Sequence, residues 1–225
     1  MPKQLALSDI QALGFDVEEI YPRIFKIRNF LTADEVSAIF QEVQSYTEDD
    51  WKFRYLQEMR HAAMEKFGRD DIEQLVEEGL LEVTWNFADK NTEFKNHKLA
   101  AELTQRSQQM FEHLEGGLKV NGFMVVHRLY EGTELLSHYD QYSDKLIEYA
   151  GVLYINDDYT EGELFFKKIG LSLTPEPGTL MVFPGTEEFE HGVHPVGAGP
   201  VRYNLPTFIK RSDPRGPMSG WANFG

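Results

Sequence analysis

Cysteine is absent from the sequence. This removes disulfides and thiolate metal ligands together, so a metal would have to be held by nitrogen and oxygen donors. A structural zinc site is disfavoured, and a reducing compartment is compatible with the chain. Long apolar runs are also missing: no stretch of eighteen or more apolar residues predicts a membrane span. The opening Met1-Pro2-Lys3-Gln4 does not lead into the apolar segment of a signal peptide. A soluble, unprocessed, cytoplasmic protein is expected. Positive charge is scarce, with 22 Lys and Arg against 37 Asp and Glu and a formal charge of −15. Such a surface repels phosphate backbones, which argues against nucleic acid as a main partner. No repeat, low-complexity tract or linker divides the chain.

What is present is a good supply of core-forming residues, 41% hydrophobic and 13% aromatic over 225 residues. That amount suits one domain with accessory helices. The expected division is 1–117 as mainly helical support, 118–210 as a β-rich core and 211–225 as a tail. Acidic pairs such as Glu77-Glu78 are spread through the first half and read as solvated helix faces. Residues 20–28 suggest a short strand. Thr32-Ala33-Asp34-Glu35 is a capping box, and Val36, Ile39, Phe40 and Val43 follow at helical spacing, predicting a helix over 33–45. Residues 51–67 also read as helix, ended by Gly68, and 70–80 as a shorter one. The alternation over 81–87 predicts a half-buried strand. Asn96 can cap a long helix to about Leu114, stopped by Gly116-Gly117.

From Leu118 the period changes to two. Segments 120–130, 146–155, 163–168, 171–173, 179–183, 190–196 and 201–209 are β-rich, with punctuation such as Pro175-Glu176-Pro177-Gly178 between them. Seven short strands after a helical half predict an α+β protein, a double-sheet jelly roll braced by helices on one side.

Two imidazoles and one carboxylate that can meet on one face of a metal form the ligand set of a non-haem Fe(II) centre. His138 and Asp140 are two residues apart, so in an extended segment both side chains leave the same face. His191 lies 51 residues beyond Asp140 on a late strand, and Arg202 follows eleven residues later. An arginine there could hold a co-substrate carboxylate as a bidentate pair. His194 competes for the third ligand position, but three residues along a strand it should face away from His191. His127 reads as a core or boundary histidine, and His61, His97 and His113 as surface or helix-end residues. Tyr130, before Gly132, could reach into the barrel and serve the second oxygen of a bound carboxylate.

Residues from about 122 to 209 resemble the catalytic domain of the 2-oxoglutarate and Fe(II)-dependent dioxygenases, most closely the prolyl 4-hydroxylase-like branch. The similar stretches are Arg128-Leu129-Tyr130-Glu131-Gly132, His138-Tyr139-Asp140, Leu153-Tyr154-Ile155-Asn156-Asp157, Gly162-Glu163-Leu164, Pro177-Gly178-Thr179-Leu180-Met181-Val182-Phe183, and His191-Gly192-Val193-His194-Pro195-Val196 with Arg202-Tyr203. Phe30-Leu31-Thr32 through Glu35-Val36 is similar to that branch's opening helix. The resemblance implies a double-stranded β-helix with His138, Asp140 and His191 as iron ligands. It also implies that Arg202, assisted by Tyr130, holds the distal carboxylate of 2-oxoglutarate. Fe(II), 2-oxoglutarate and O2 would be required, with ascorbate as an auxiliary reductant. The implied reaction hydroxylates an unactivated C–H bond while 2-oxoglutarate is decarboxylated to succinate, and the favoured partner is a proline-containing peptide or protein. In this branch the basic residue is often Lys at a spacing one shorter, so Gly197-Ala198-Gly199-Pro200 holds an extra residue here. The alternatives are a hydroxylase of a free amino acid or other small molecule, an oxidative nucleic-acid demethylase prompted by Arg202-Tyr203-Asn204-Leu205, and a non-catalytic jelly-roll binding module.

Overall fold

A computed structural model of the chain describes residues 7–53, 63–80, 90–112 and 118–211. It is an α+β double-stranded β-helix built on two antiparallel sheets. The large sheet runs β1 (Asp16–Tyr21), β2 (Ile24–Arg28), β11 (Leu180–Pro184), β8 (Ile147–Tyr154), β13 (Arg202–Arg211), β6 (Val125–Leu129), β4 (Lys90–Glu93) and β3 (Lys52–Phe53), with β5 (Leu118–Val120) pairing the far end of β13. The small sheet is β10 (Leu171–Leu173), β9 (Leu164–Phe166), β12 (His191–Val193) and β7 (Leu135–His138).

Alternation along the strands gives the large sheet two apolar faces. Ile27, Leu153, Leu180, Val182, Leu205 and Ile209 turn one way, into a core shared with the helices. Ala150, Tyr154, Met181 and Phe183 turn the other way and meet Leu164 and Phe166 of the small sheet. The helical layer consists chiefly of α2 (Ala33–Gln44) and α4 (His97–Glu112); α1 (Leu7–Ala12) and α3 (Ile72–Glu77) are shorter. The Thr32 hydroxyl accepts from the Glu35 amide and the Glu35 carboxylate accepts from the Thr32 amide, so the expected capping box starts α2. In α4 the Asn96 carboxamide oxygen accepts from Leu99 N–H at 3.1 Å. Its buried stripe is Ala100, Leu103, Ser107, Met110 and Phe111.

Several elements differ from expectation. Residues 51–53 are not helical: the Thr47–Asp50 pair closes a single 3₁₀ turn, and Trp51 then leaves in extended backbone. Lys52 and Phe53 pair with Asn91 and Lys90. The strand expected over 20–28 is a hairpin of two, turning at Arg23 with φ +70°. The strand expected over 120–130 is broken at Gly122, whose φ of +95° suits only glycine. Helix α4 begins as expected, but Leu114, Gly116-Gly117 and His113 lie outside the described residues, as do His61, the strand expected over 81–87 and the tail from 212. Four strands of the first half extend the large sheet, so that half does more than supply helices. Among the described residues no helix is long and apolar enough to cross a membrane.

Candidate metal centre

Strands β7 and β12 lie side by side, with His138 directly opposite His191. Residues so paired in an antiparallel ladder put their side chains on one face, and the two imidazole rings lie 4.6 Å apart between centroids. Tyr139 remains extended, so Asp140 emerges on the side of His138, and a short 3₁₀ turn (Asp140–Tyr142) starts there. That turn is pinned at its base. Gln141 N–H donates to the Gly185 carbonyl at 2.9 Å, the Gln141 carboxamide donates to the Ile147 carbonyl at 2.8 Å, and Ser143 Oγ donates to the Asp140 carbonyl at 2.9 Å. A side chain at Gly185 would press on Ile147 and on Cβ of Asp140.

The result is three convergent ligand groups. His138 Nε2 is 4.0 Å from Asp140 Oδ1, and His191 Nε2 is 3.8 Å from Asp140 Oδ2. One donor atom from each residue lies within 4.8 Å of the other two, the one such group among the described residues. Asp140 and His191 are buried and His138 is partly open. His138 Nδ1 is 2.8 Å from the Leu136 carbonyl and His191 Nδ1 is 3.0 Å from the Phe189 carbonyl. A carbonyl only accepts, so each Nδ1 donates and Nε2 is the ring nitrogen left on the Asp140 side to serve as a metal ligand. Two imidazoles and one carboxylate suit a divalent transition metal, and their one-sided placement leaves coordination positions open. His194 is elsewhere: its ring stacks on Phe165 at 4.4 Å, and Nε2 lies 3.4 Å from Ser172 Oγ.

The same cavity, which His127, Leu129, Ala150, Val152, Phe183, Pro206 and Phe208 help to line, contains Arg202 and Asn204. Arg202 is 1% exposed. One of its terminal nitrogens donates to Asn204 Oδ1 at 2.6 Å, while Nε has no hydrogen-bond partner among the described residues. No carboxylate among the described residues approaches the guanidinium within ion-pair distance. The Tyr154 ring lies 5.5 Å from it. The Tyr154 and Tyr159 hydroxyls are likewise buried and make no hydrogen bond of good geometry, though both interact with the Arg202 guanidinium. Burial raises both phenols, Tyr159 up to about 12, against the opposing influence of Arg202. Both therefore stay protonated as donors.

Tyr130 is not brought to this cavity. Leu129 faces inward opposite Arg202, so the neighbouring residues face outward. Arg128 lies over the Tyr130 ring at 4.9 Å and over Trp51 at 4.2 Å, and its guanidinium is paired with Glu48 at 2.6 Å. Tyr154 and Tyr159 occupy the place beside Arg202 that was expected of Tyr130. The one signal in the sequence for the additional polar residues is alternation from Arg202, which puts Asn204 on its face; the cross-strand partner of Asn204 is His127.

Residues 124–210 match the model of the 2OG-Fe(II) oxygenase superfamily. Over that stretch the chain is similar to the superfamily. Members of the 2OG-Fe(II) oxygenases use Fe(II), 2-oxoglutarate and O2, and the donor set at His138, Asp140 and His191 fits such a metal. Among solved structures, the chain is similar to a Trichoplax adhaerens prolyl hydroxylase in complex with a hypoxia inducible factor oxygen degradation domain peptide fragment. The TM-score is 0.62 at 14% identity, over 92% of this chain and 88% of that one. It is also similar to a 2OG-Fe(II) oxygenase family oxidoreductase from Burkholderia pseudomallei, with a TM-score of 0.57 at 14% identity, covering 91% and 89%. A viral collagen prolyl hydroxylase from Paramecium Bursaria Chlorella virus-1 gives 0.50 at 16% identity, covering 85% and 97%. At these identities the likeness concerns the fold. No curated protein matches the chain.

Proposed function

We propose that the protein is an Fe(II)- and 2-oxoglutarate-dependent dioxygenase that hydroxylates a prolyl residue of a peptide or protein. The observation that carries the reading is a register-paired His138–His191 couple converging on Asp140 beside a fully buried guanidinium that has no carboxylate of its own. His138, Asp140 and His191 would hold iron through two Nε2 atoms and a carboxylate oxygen. Arg202 would hold the distal carboxylate of 2-oxoglutarate. Each buried donor left unsatisfied costs about 1–3 kcal/mol, so the unpartnered Nε and the two phenols favour an arriving carboxylate. Asn204 keeps the guanidinium in its plane through the 2.6 Å bond.

When bound, the iron supplies the oxidising chemistry, and the overall conversion is C–H plus O2 plus 2-oxoglutarate to C–OH plus succinate plus CO2. The chain's own residues orient the co-substrate and exclude water. Val152, Phe183, Pro206 and Phe208 give the cavity an apolar wall that suits an aliphatic ring. Three considerations support a polypeptide substrate. The fold is shared with a prolyl hydroxylase described with a bound peptide fragment, the net charge of −15 disfavours nucleic acid, and the wall is apolar where the target would lie. The chain would act as one domain, the strands of its first half completing the sheet that carries Arg202.

The test is succinate release with Fe(II), 2-oxoglutarate and ascorbate over a panel of proline-containing peptides, followed by mass spectrometry. The expected result is peptide-stimulated succinate and one added oxygen on proline. Stimulation by a free amino acid or a methylated oligonucleotide, with proline peptides untouched, overturns the prolyl assignment and leaves the oxygenase. Failure to bind metal and 2-oxoglutarate at all would make the chain a non-catalytic module.

A further inference from the structure

The ladder that carries the two histidines is irregular beside them. His191 opposes His138 and Val193 opposes Leu135, so two steps along β12 match three along β7. This is a β-bulge over residues 136–137, and a bulge interrupts the backbone hydrogen bonds that otherwise fix the distance between strands. The Nδ1 contacts of His138 and His191 do not replace them. Each reaches a carbonyl two residues back on its own chain segment and sets the rotation of one ring.

A side-chain bridge crosses the gap instead. Ser137 Oγ donates to Glu190 Oε1 at 2.8 Å. Ser137 immediately precedes His138 and Glu190 immediately precedes His191, so this bond joins the two strands one residue from each imidazole. Glu190 is itself held from the other side. Lys167 Nζ donates to Oε1 at 3.1 Å, Lys168 Nζ lies 3.8 Å from Oε2, and the Lys167 amide donates to the Glu190 carbonyl at 2.9 Å. Both lysines follow directly on β9, which flanks β12 on the side away from β7. The Glu190 side chain is 17% exposed, which keeps these charge-assisted bonds partly out of water.

We infer that Ser137 and Glu190, braced by Lys167, are positioning residues that set the separation of the His138 and His191 imidazoles before metal arrives. The inference rests on the reading of the trio as a metal centre. A metal forces two ligands to a common point, and any excess separation must be closed at the expense of binding energy. Partners one step removed from metal ligands typically change affinity by roughly 10- to 100-fold when lost. The bridge makes no contact with substrate or co-substrate in this reading, so its effect falls on metal affinity and coordination geometry.

The experiment titrates the full-length protein with Co(II), reading the dissociation constant and the visible absorption bands. Ser137→Ala and Glu190→Ala should each weaken Co(II) binding about tenfold or more and alter the bands, while Ser137→Thr, which restores the hydroxyl, should recover both. Ser172→Ala, on the far strand of the same sheet, should match the wild type. Glu190→Gln keeps an acceptor for Ser137 and loses the lysine pairing, giving an intermediate effect even if the alanine variant folds poorly. Affinities within threefold of wild type in Ser137→Ala and Glu190→Gln, with unchanged bands, overturn the inference. A wild-type protein that takes up no Co(II) overturns the metal-centre reading itself.

Discussion

Arg202 combines nearly complete burial with incomplete hydrogen bonding, an arrangement stable only if something else supplies the missing charge or contacts. Losing one side of a buried charge-assisted pair costs on the order of 2–5 kcal/mol. Arg202→Ala should therefore weaken 2-oxoglutarate binding by well over tenfold while Co(II) affinity stays near the wild-type value, both read by calorimetry. Tyr154→Phe removes one of the unpaired donors beside the guanidinium and should weaken 2-oxoglutarate by a smaller factor. Tyr130→Phe should leave it unchanged, because its ring lies under Arg128 on the other side of β6. An equal loss in Tyr130→Phe would show that the phenol reaches the cavity. The convergence of His138, Asp140 and His191 and the inward position of Arg202 are legible in the sequence because strand periodicity decides which residues share a face. Tyr130 is misleading because it lies one step beyond the end of β6, where parity along the strand opposes the direction that motif likeness suggests. Tyr154 and Tyr159 cannot be picked out before folding, since sheet pairing and the 157–162 loop bring them to Arg202.

At the level of elements, the start of α2 is joined to α4 by an ion pair. Arg106 meets the Glu35 carboxylate at 2.7 and 3.2 Å and also donates to the Phe30 carbonyl. Hydrogen bonding to Arg106, then to Thr32, holds the Glu35 carboxyl below its ordinary value against the effect of burial. A carboxyl whose folded pKa is depressed contributes stability above its unfolded value of about 4.3 and loses it as pH falls through the folded value. Glu35→Gln retains an acceptor for the Thr32 amide but not the charge. It should cost on the order of 1 kcal/mol at neutral pH after allowance for solvent screening, and the difference from wild type should shrink below pH 4 in urea unfolding. A difference that persists at low pH would assign the effect to capping rather than to the ion pair. Capping box and stripe made α2 legible almost to the residue. The short strands were harder: β3 has two residues and β4 four, too few to show a period, and β1 carries acidic residues on its exposed face as the edge of a sheet. The helix expected over 51–67 rested on a rough apolar stripe that begins at Phe53, but Trp51 is extended and packs on Tyr46 and Tyr203.

For the whole molecule, a site assembled from β7, β12 and β13 can form only when both sheets are in place, so ligand binding and folding are linked. A ligand that binds the folded state alone stabilises it by about 2.7 kcal/mol at a hundred times its dissociation constant. For a chain of this length each kcal/mol moves the melting temperature by about 2–4 °C, giving an expected rise of about 5–11 °C with saturating Co(II). Added 2-oxoglutarate should raise it further, and the two increments need not be equal. The pattern across variants is the discriminating feature. His191→Ala should lose the metal increment, whereas His194→Ala, whose ring stacks on Phe165 outside the trio, should keep it. Arg202→Ala should retain the metal increment and lose most of the one from 2-oxoglutarate. Added duplex DNA should produce no rise at physiological salt, because a chain with a formal charge of −15 has no excess of cations to displace phosphate counterions. Differential scanning fluorimetry on the four proteins reads all of these shifts together. A metal increment lost in His194→Ala and kept in His191→Ala would place the third ligand on the other face of β12 and overturn the site described here.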